Sequence, residues 1–105
     1  MAFQTSYSEQ AAVDLADIIR YLNDELCNPQ AAKRFYKEAS KRLELLCDNP
    51  YMYPLHKDGK LYAEGYRFIV IGNYLMFYVI NEDSRVVNIV RIVYGGRNLS
   101  AIFGE

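Results

Sequence analysis

The sequence predicts an α+β domain of order β-α-α-β-β-β, a helical hairpin packed on a small, mainly antiparallel sheet. Three observations predict it. Apolar residues recur at three- and four-residue steps from about residue 9 to residue 48, the periodicity becomes that of strands after residue 65, and two short polar connections divide the strand-forming part. With 105 residues, 51% apolar and 24% charged, the chain has room for one such domain, 1–105.

Phe3, Thr5 and Tyr7 alternate with Gln4 and Ser6, a short strand with one face buried. Ser8 is a good helix N-cap, and Ala12, Leu15, Ile18, Ile19, Leu22 and Leu26 follow at helical spacing, with Asp14, Asp17 and Asp24 assigned to the opposite, polar face. This predicts an amphipathic helix over 9–26. Asn28-Pro29 stops it and starts the next, because Asn caps and Pro is tolerated at the first helical position. The second helix turns Ala32, Phe35, Tyr36, Ala39, Leu43 and Leu46 inward and sets Lys33, Lys37 and Lys41 in an outward row, ending at Asp48-Asn49-Pro50. Residues 50–65, with two prolines and two glycines, read as a loop carrying Tyr51, Tyr53, His56, Lys57, Lys60 and Tyr62. Strands over 66–71, 74–80 and 85–94 then form a meander through Gly72-Asn73 and Asn81-Glu82-Asp83-Ser84. The middle strand is apolar on both faces, as a central strand covered on both sides would be. In the last strand Val86, Asn88, Val90, Ile92 and Tyr94 are expected to meet the helices. Arg91 then looks out from the other face, where Arg67 could join it to hold a phosphate or carboxylate.

Composition excludes several classes of function. The longest apolar run, Tyr74 to Ile80, is far short of the about 20 residues of a bilayer span, so no membrane role is expected. The first residues lack the basic start and apolar run of a signal peptide, and the cytoplasm is the expected compartment, with Cys27 and Cys47 as reduced thiols. Two cysteines and one histidine cannot complete a Cys/His zinc site, and neither metal nor cofactor is expected. No glycine-rich phosphate loop opens a helix, and no carboxylate pair is placed for hydrolysis. His56 reads as a surface residue rather than a general base. Charge is uneven: residues 1–26 carry five acids and one base, whereas 29–47 carry five bases and two acids. Pairing between the two helices would absorb part of this, and the remainder is a basic surface suited to an acidic partner or nucleic acid. A second basic and aromatic set, Lys60, Arg67, Arg91, Tyr94 and Arg97, lies in the last forty-five residues, and these five are the candidate target-binding residues.

Three segments in order carry a family resemblance. They are Tyr7 to Ala11 leading into Asp14 to Ile18; Leu46-Cys47-Asp48-Asn49-Pro50 with Tyr53-Pro54; and Gly65-Tyr66-Arg67 through Ile71-Gly72-Asn73-Tyr74 to Arg91-Ile92-Val93-Tyr94-Gly95-Gly96-Arg97-Asn98. Over essentially the whole chain they resemble the RelE/ParE superfamily of bacterial toxins, components of type II toxin-antitoxin modules neutralised by a cognate antitoxin. The resemblance implies a RelE/ParE-like fold, an antitoxin partner and a toxin–antitoxin hetero-oligomer as one assembly. Leu15, Ile19 and Leu22 are the candidate antitoxin-binding residues. One branch of the superfamily inhibits DNA gyrase by binding. The other cuts messenger RNA on the ribosome and would here use Arg67, Arg91, Tyr94 and Arg97. Leu75 stands where the nuclease branch usually has an arginine, and Phe103 has no hydroxyl to transfer a proton. Asn49-Pro50, Gly65-Tyr66-Arg67 and Arg91 to Arg97 resemble the gyrase-inhibiting branch, with Tyr94 in its usual histidine position. The reading favoured is therefore the gyrase inhibitor, the alternatives being a ribosome-dependent endoribonuclease and a degenerate member that only binds its antitoxin.

Overall fold

The structure is a computed structural model and describes residues 2–57, 59–96 and 102–103. Strand β1 (Gln4–Tyr7) leads into helix α1 (Glu9–Arg20). The Ser8 hydroxyl accepts from the Ala11 N–H at 3.0 Å and donates to the Val90 carbonyl at 2.8 Å, so one side chain caps the helix and ties it to the sheet. The expected 9–26 helix is α-helical only to Arg20. Tyr21–Glu25 is a π-helical turn, and Cys27, at φ +47°, ends it. The Asn28 side chain then accepts from the Ala31 N–H at 3.1 Å and Pro29 opens helix α2 (Pro29–Asp48). Within 50–65, read as loop from the sequence, a short helix α3 (Gly59–Ala63) forms. Gly65 at φ +79° closes it, letting Tyr66 donate back to the Leu61 carbonyl at 2.9 Å.

Strands β2 (Arg67–Ile71), β3 (Tyr74–Asn81) and β4 (Val86–Tyr94) form the expected meander, with Gly72 at φ +59° supplying the two-residue β2–β3 turn. The sheet order is β1-β4-β3-β2, and β1 runs parallel to β4. Helices α1 and α2 cover one face. There Ile18, Leu22, Phe35, Leu43 and Leu46 pack on Ile69, Ile71, Met76, Tyr78, Val87, Ile89 and Ile92. The other face carries a smaller core of Leu61, Phe77 and Val93, with Phe68, Leu75, Ile102 and Phe103 against it. Strand β3 is thus covered on both sides, as its composition predicts.

The expectation for β4 holds for only part of the strand. Tyr78 is opposite Ile89 but Phe77 is opposite Arg91, so Val90 is an extra residue, a β-bulge. The bulge inverts the alternation: Val87 and Ile89 face the helices before it and Ile92 after it, while Val93 joins the second core. A bulge cannot be read from a strand that is apolar at every second position on both faces. Among the described residues no helix is long and apolar enough to cross a membrane.

Candidate functional site

The two arginines expected to share a face do not. Arg67 pairs with Tyr78 and Arg91 with Phe77, and since consecutive residues of β3 face opposite sides of the sheet, so do their partners. Arg67 lies on the helix side, at the foot of α2. Its Nη1 donates to the Tyr53 carbonyl at 2.7 Å, and its guanidinium stands 5.0 Å from the centre of the Tyr51 ring. The Tyr78 hydroxyl, fully buried beside it, donates to the Pro50 carbonyl at 3.0 Å. Burial pushes the Tyr78 hydroxyl up to about 12, against the lowering influence of the Arg67 charge.

Arg91 belongs to a buried polar knot. Its Nε donates to Asp14 Oδ2 at 2.8 Å and its Nη2 to Oδ1 at 3.2 Å. The Ile92 N–H reaches Oδ2 at 2.9 Å, and Gln10 donates to Oδ1 at 3.0 Å. Burial works to raise the Asp14 pKa, but the hydrogen bonds from Arg91, Ile92 and Gln10 and the Arg91 charge together hold it below the usual carboxylate range. Asp14, assigned from the sequence to the solvated face of α1, is 8% exposed. Its spacing was the overlooked signal: Ala11, Asp14, Ile18 and Leu22 step by three and four along the buried stripe. The carboxylate sits where β1 has ended and β4 runs on, so it accepts an N–H that no strand pairs.

The remaining candidates are dispersed. Lys60 Nζ donates to the Phe103 carbonyl at 3.1 Å, holding the tail segment over the second core, where Phe103 contacts Tyr66 and Phe77 at ring distances of 5.2 and 5.0 Å. His56 lies in the same aromatic cluster, 5.3 Å from the Phe68 ring. Tyr94, opposite Tyr74, is 52% exposed at the end of β4 and meets the Tyr74 ring edge-to-face at 5.8 Å. A Cβ at Gly96 would come within 3.2 Å of the Tyr94 ring, so the glycine lets the chain pass beside it. Arg97 lies outside the described residues. Lys60, Arg67, Arg91 and Tyr94 therefore form no single basic cluster, and no group of three His, Cys, Asp or Glu placed for a metal occurs among the described residues.

What the structure does assemble is a groove of about 880 Å³ between α1 and α2. Ala12, Leu15, Ala16 and Ile19 form one wall, and Ala32 with the ring of Tyr36 forms the other. Tyr36, assigned to the core by its spacing, is 58% exposed and borders this groove. Small residues on α1 leave the space, and Arg20, Asp24 and Lys33 set charges on its rim. Of the three candidate antitoxin-binding residues, Leu15 and Ile19 line this groove, whereas Leu22 is buried beneath it in the core. The pairing expected between acidic α1 and basic α2 is not found among the described residues: Arg20 pairs with Asp17 within α1, and Arg42 with Glu38 within α2 at 2.7 Å.

The family profile described as "ParE toxin of type II toxin-antitoxin system, parDE" matches residues 6–99. Among curated proteins none matches the chain in sequence. In fold, the chain is similar to the chromosomal ParDE toxin-antitoxin system of P. aeruginosa (TM-score 0.67, 15% identity, 89% of this chain and 96% of that one). It is also similar to the RelBE2 toxin-antitoxin complex of Mycobacterium tuberculosis (0.64, 16%, 90% and 99%) and to a free mutant of the E. coli toxin RelE (0.63, 16%, 100% and 94%). The expected α+β fold of the RelE/ParE kind is the fold observed.

Proposed function

The chain belongs to the ParE toxin family of type II toxin-antitoxin systems, and from that premise we propose that it inhibits DNA gyrase by binding rather than by cutting messenger RNA. The observation that carries this reading is the occupation of Arg91. Attack by a ribose 2′-OH builds charge on the phosphate and the leaving oxygen, and losing one well-placed donor to such charge costs about 100-fold or more in rate. Arg91 already spends two N–H groups on Asp14. Leu75 has no donor, Phe103 has no proton to give, and Arg67 lies on the opposite face of the sheet, bound to Tyr53. Of the sequence-predicted set, Tyr94, exposed at the end of β4, and Arg97 remain the residues proposed to meet the target.

Purified protein should block supercoiling of relaxed plasmid by gyrase, or trap its cleaved-DNA complex, and leave messenger RNA intact on translating ribosomes. Codon-positioned cuts in the ribosomal A site with gyrase untouched at the same concentration would establish the endoribonuclease instead. Both targets would place its action in the cytoplasm.

The partner proposed is a cognate antitoxin, as in the solved ParDE and RelBE systems. The groove lined by Leu15 and Ile19 fits the apolar stripe of a helix, and β2, at the sheet edge and bridged by Leu55 at Arg67, offers the rest of its edge for an added strand.

A further inference from the structure

The basic row of α2 is unassigned apart from Lys33, which borders the α1–α2 groove. Arg34, Lys37 and Lys41 line a groove of about 550 Å³ between α2 and the β2–β3 turn, with Phe35 and Tyr74 in its wall. Lys33, one turn before Lys37, extends the row, and spacing by four residues at 1.5 Å repeats a cation every ~6 Å along the helix. These four cations have no ion pair among the described residues. Glu38, the acid lining the groove, is held by Arg42 at 2.7 Å and so leaves them unneutralised.

Aromatic rings adjoin the charge. Tyr74 meets Phe35 edge-to-face at 5.2 Å and Tyr94 at 5.8 Å, so the aromatic wall continues out of the groove to the half-exposed Tyr94 ring. A cationic track that leads past the half-buried Tyr74 to the exposed Tyr94 ring suits a strand whose phosphates follow the cations and whose unpaired bases can stack. An acidic peptide would use the charge and leave the rings idle. We infer that the basic face of α2 and the Tyr74–Tyr94 rings together form a binding surface for single-stranded nucleic acid.

Anisotropy of a labelled oligodeoxythymidine about a dozen nucleotides long, titrated with the purified protein over a salt series, tests this. Four phosphate contacts predict a slope of log K against log salt of about −2.8, and the double variant K37Q/K41Q should flatten it by about 1.4. Y94L should weaken binding about tenfold with the slope unchanged. These side chains are exposed and the lysines unpaired, so urea midpoints should stay near the parent's and confirm that the variants fold. Absence of binding at about 50 mM salt, a slope unmoved by K37Q/K41Q, or equal competition by polyglutamate of the same charge would overturn the inference. The assay contains no gyrase, so its outcome is independent of the gyrase reading.

Discussion

Asp14 accepts four hydrogen bonds, from Gln10, Arg91 and the Ile92 N–H. It joins α1 to β4 through Arg91 and the Ile92 N–H, and removing a partner from such a pair leaves charge and donors uncompensated. The Arg91 side chain keeps 23% of its exposure, which moderates the cost, so Asp14→Ala should lower stability by about 2–3 kcal/mol, read from the urea midpoint. The pH dependence has a definite sign. A lowered carboxylate pKa contributes stability in full above the unfolded value of about 3.9 and loses it as pH falls through the folded value. Asp14→Asn should therefore flatten the acid limb of the stability profile. Tyr78 acts at the other extreme. Raised from 10 to about 12 by burial, the hydroxyl stays protonated in the fold while the unfolded chain ionises, so stability on the order of 3 kcal/mol, present in full below pH 10, is lost as pH rises toward 12. Tyr78→Phe should reduce the alkaline decline relative to the parent, and an equal decline in both would show that this hydroxyl ionises in the folded state as readily as in the unfolded chain.

At the scale of elements, the junction of β1, α1 and the β4 bulge is secured by Ser8, which caps the helix and holds the Val90 carbonyl freed by the bulge. Ser8→Ala should cost about 1–2 kcal/mol, more than an ordinary cap of ~1, because both bonds go with one oxygen. Thermal unfolding of the variant, with Ser8→Thr as the restoring control, measures it. The helices, the meander and the two-residue turn were legible because each is dictated locally, by Ser8, Asn28-Pro29, Gly72-Asn73 and the period of the apolar residues. What was not legible depends on distant partners. Asp14 looks solvated until Arg91, 77 residues away, is seen beside it. The bulge at Val90 leaves no mark in an alternating strand. Arg91, beyond the bulge, is on the face expected of it, and its pairing with Arg67 fails because Arg67, opposite Tyr78, lies on the helix side. Tyr36 was placed in the core by its spacing, but α1 presents small residues opposite it, and a groove stays open.

Over the whole molecule, the surfaces proposed for partners are the apolar α1–α2 groove and the basic face of α2 with the Tyr74–Tyr94 rings. If the groove is the antitoxin's, Leu15→Glu or Ile19→Glu should abolish co-elution with the antitoxin in size exclusion while the circular dichroism of the toxin remains unchanged. Both side chains are only partly buried, so the fold should tolerate the charge. Loss of inhibition of gyrase by the same variants would place the target on the groove as well.

The parallel pairing of β1 with β4 also bears on how the protein comes into being. Gln4–Tyr7 align with residues 86–89, so β1 waits for β4, which follows it only after both helices and the rest of the meander. Closing a loop of that length forgoes chain entropy before any contact offsets it, which makes this pairing a late and slow event in folding. A chain interrupted before β4 would lack both the partner of β1 and the guanidinium that neutralises Asp14. A toxin built this way acquires its native sheet only once β4 has been made, and products interrupted before β4 have little means of becoming partly active.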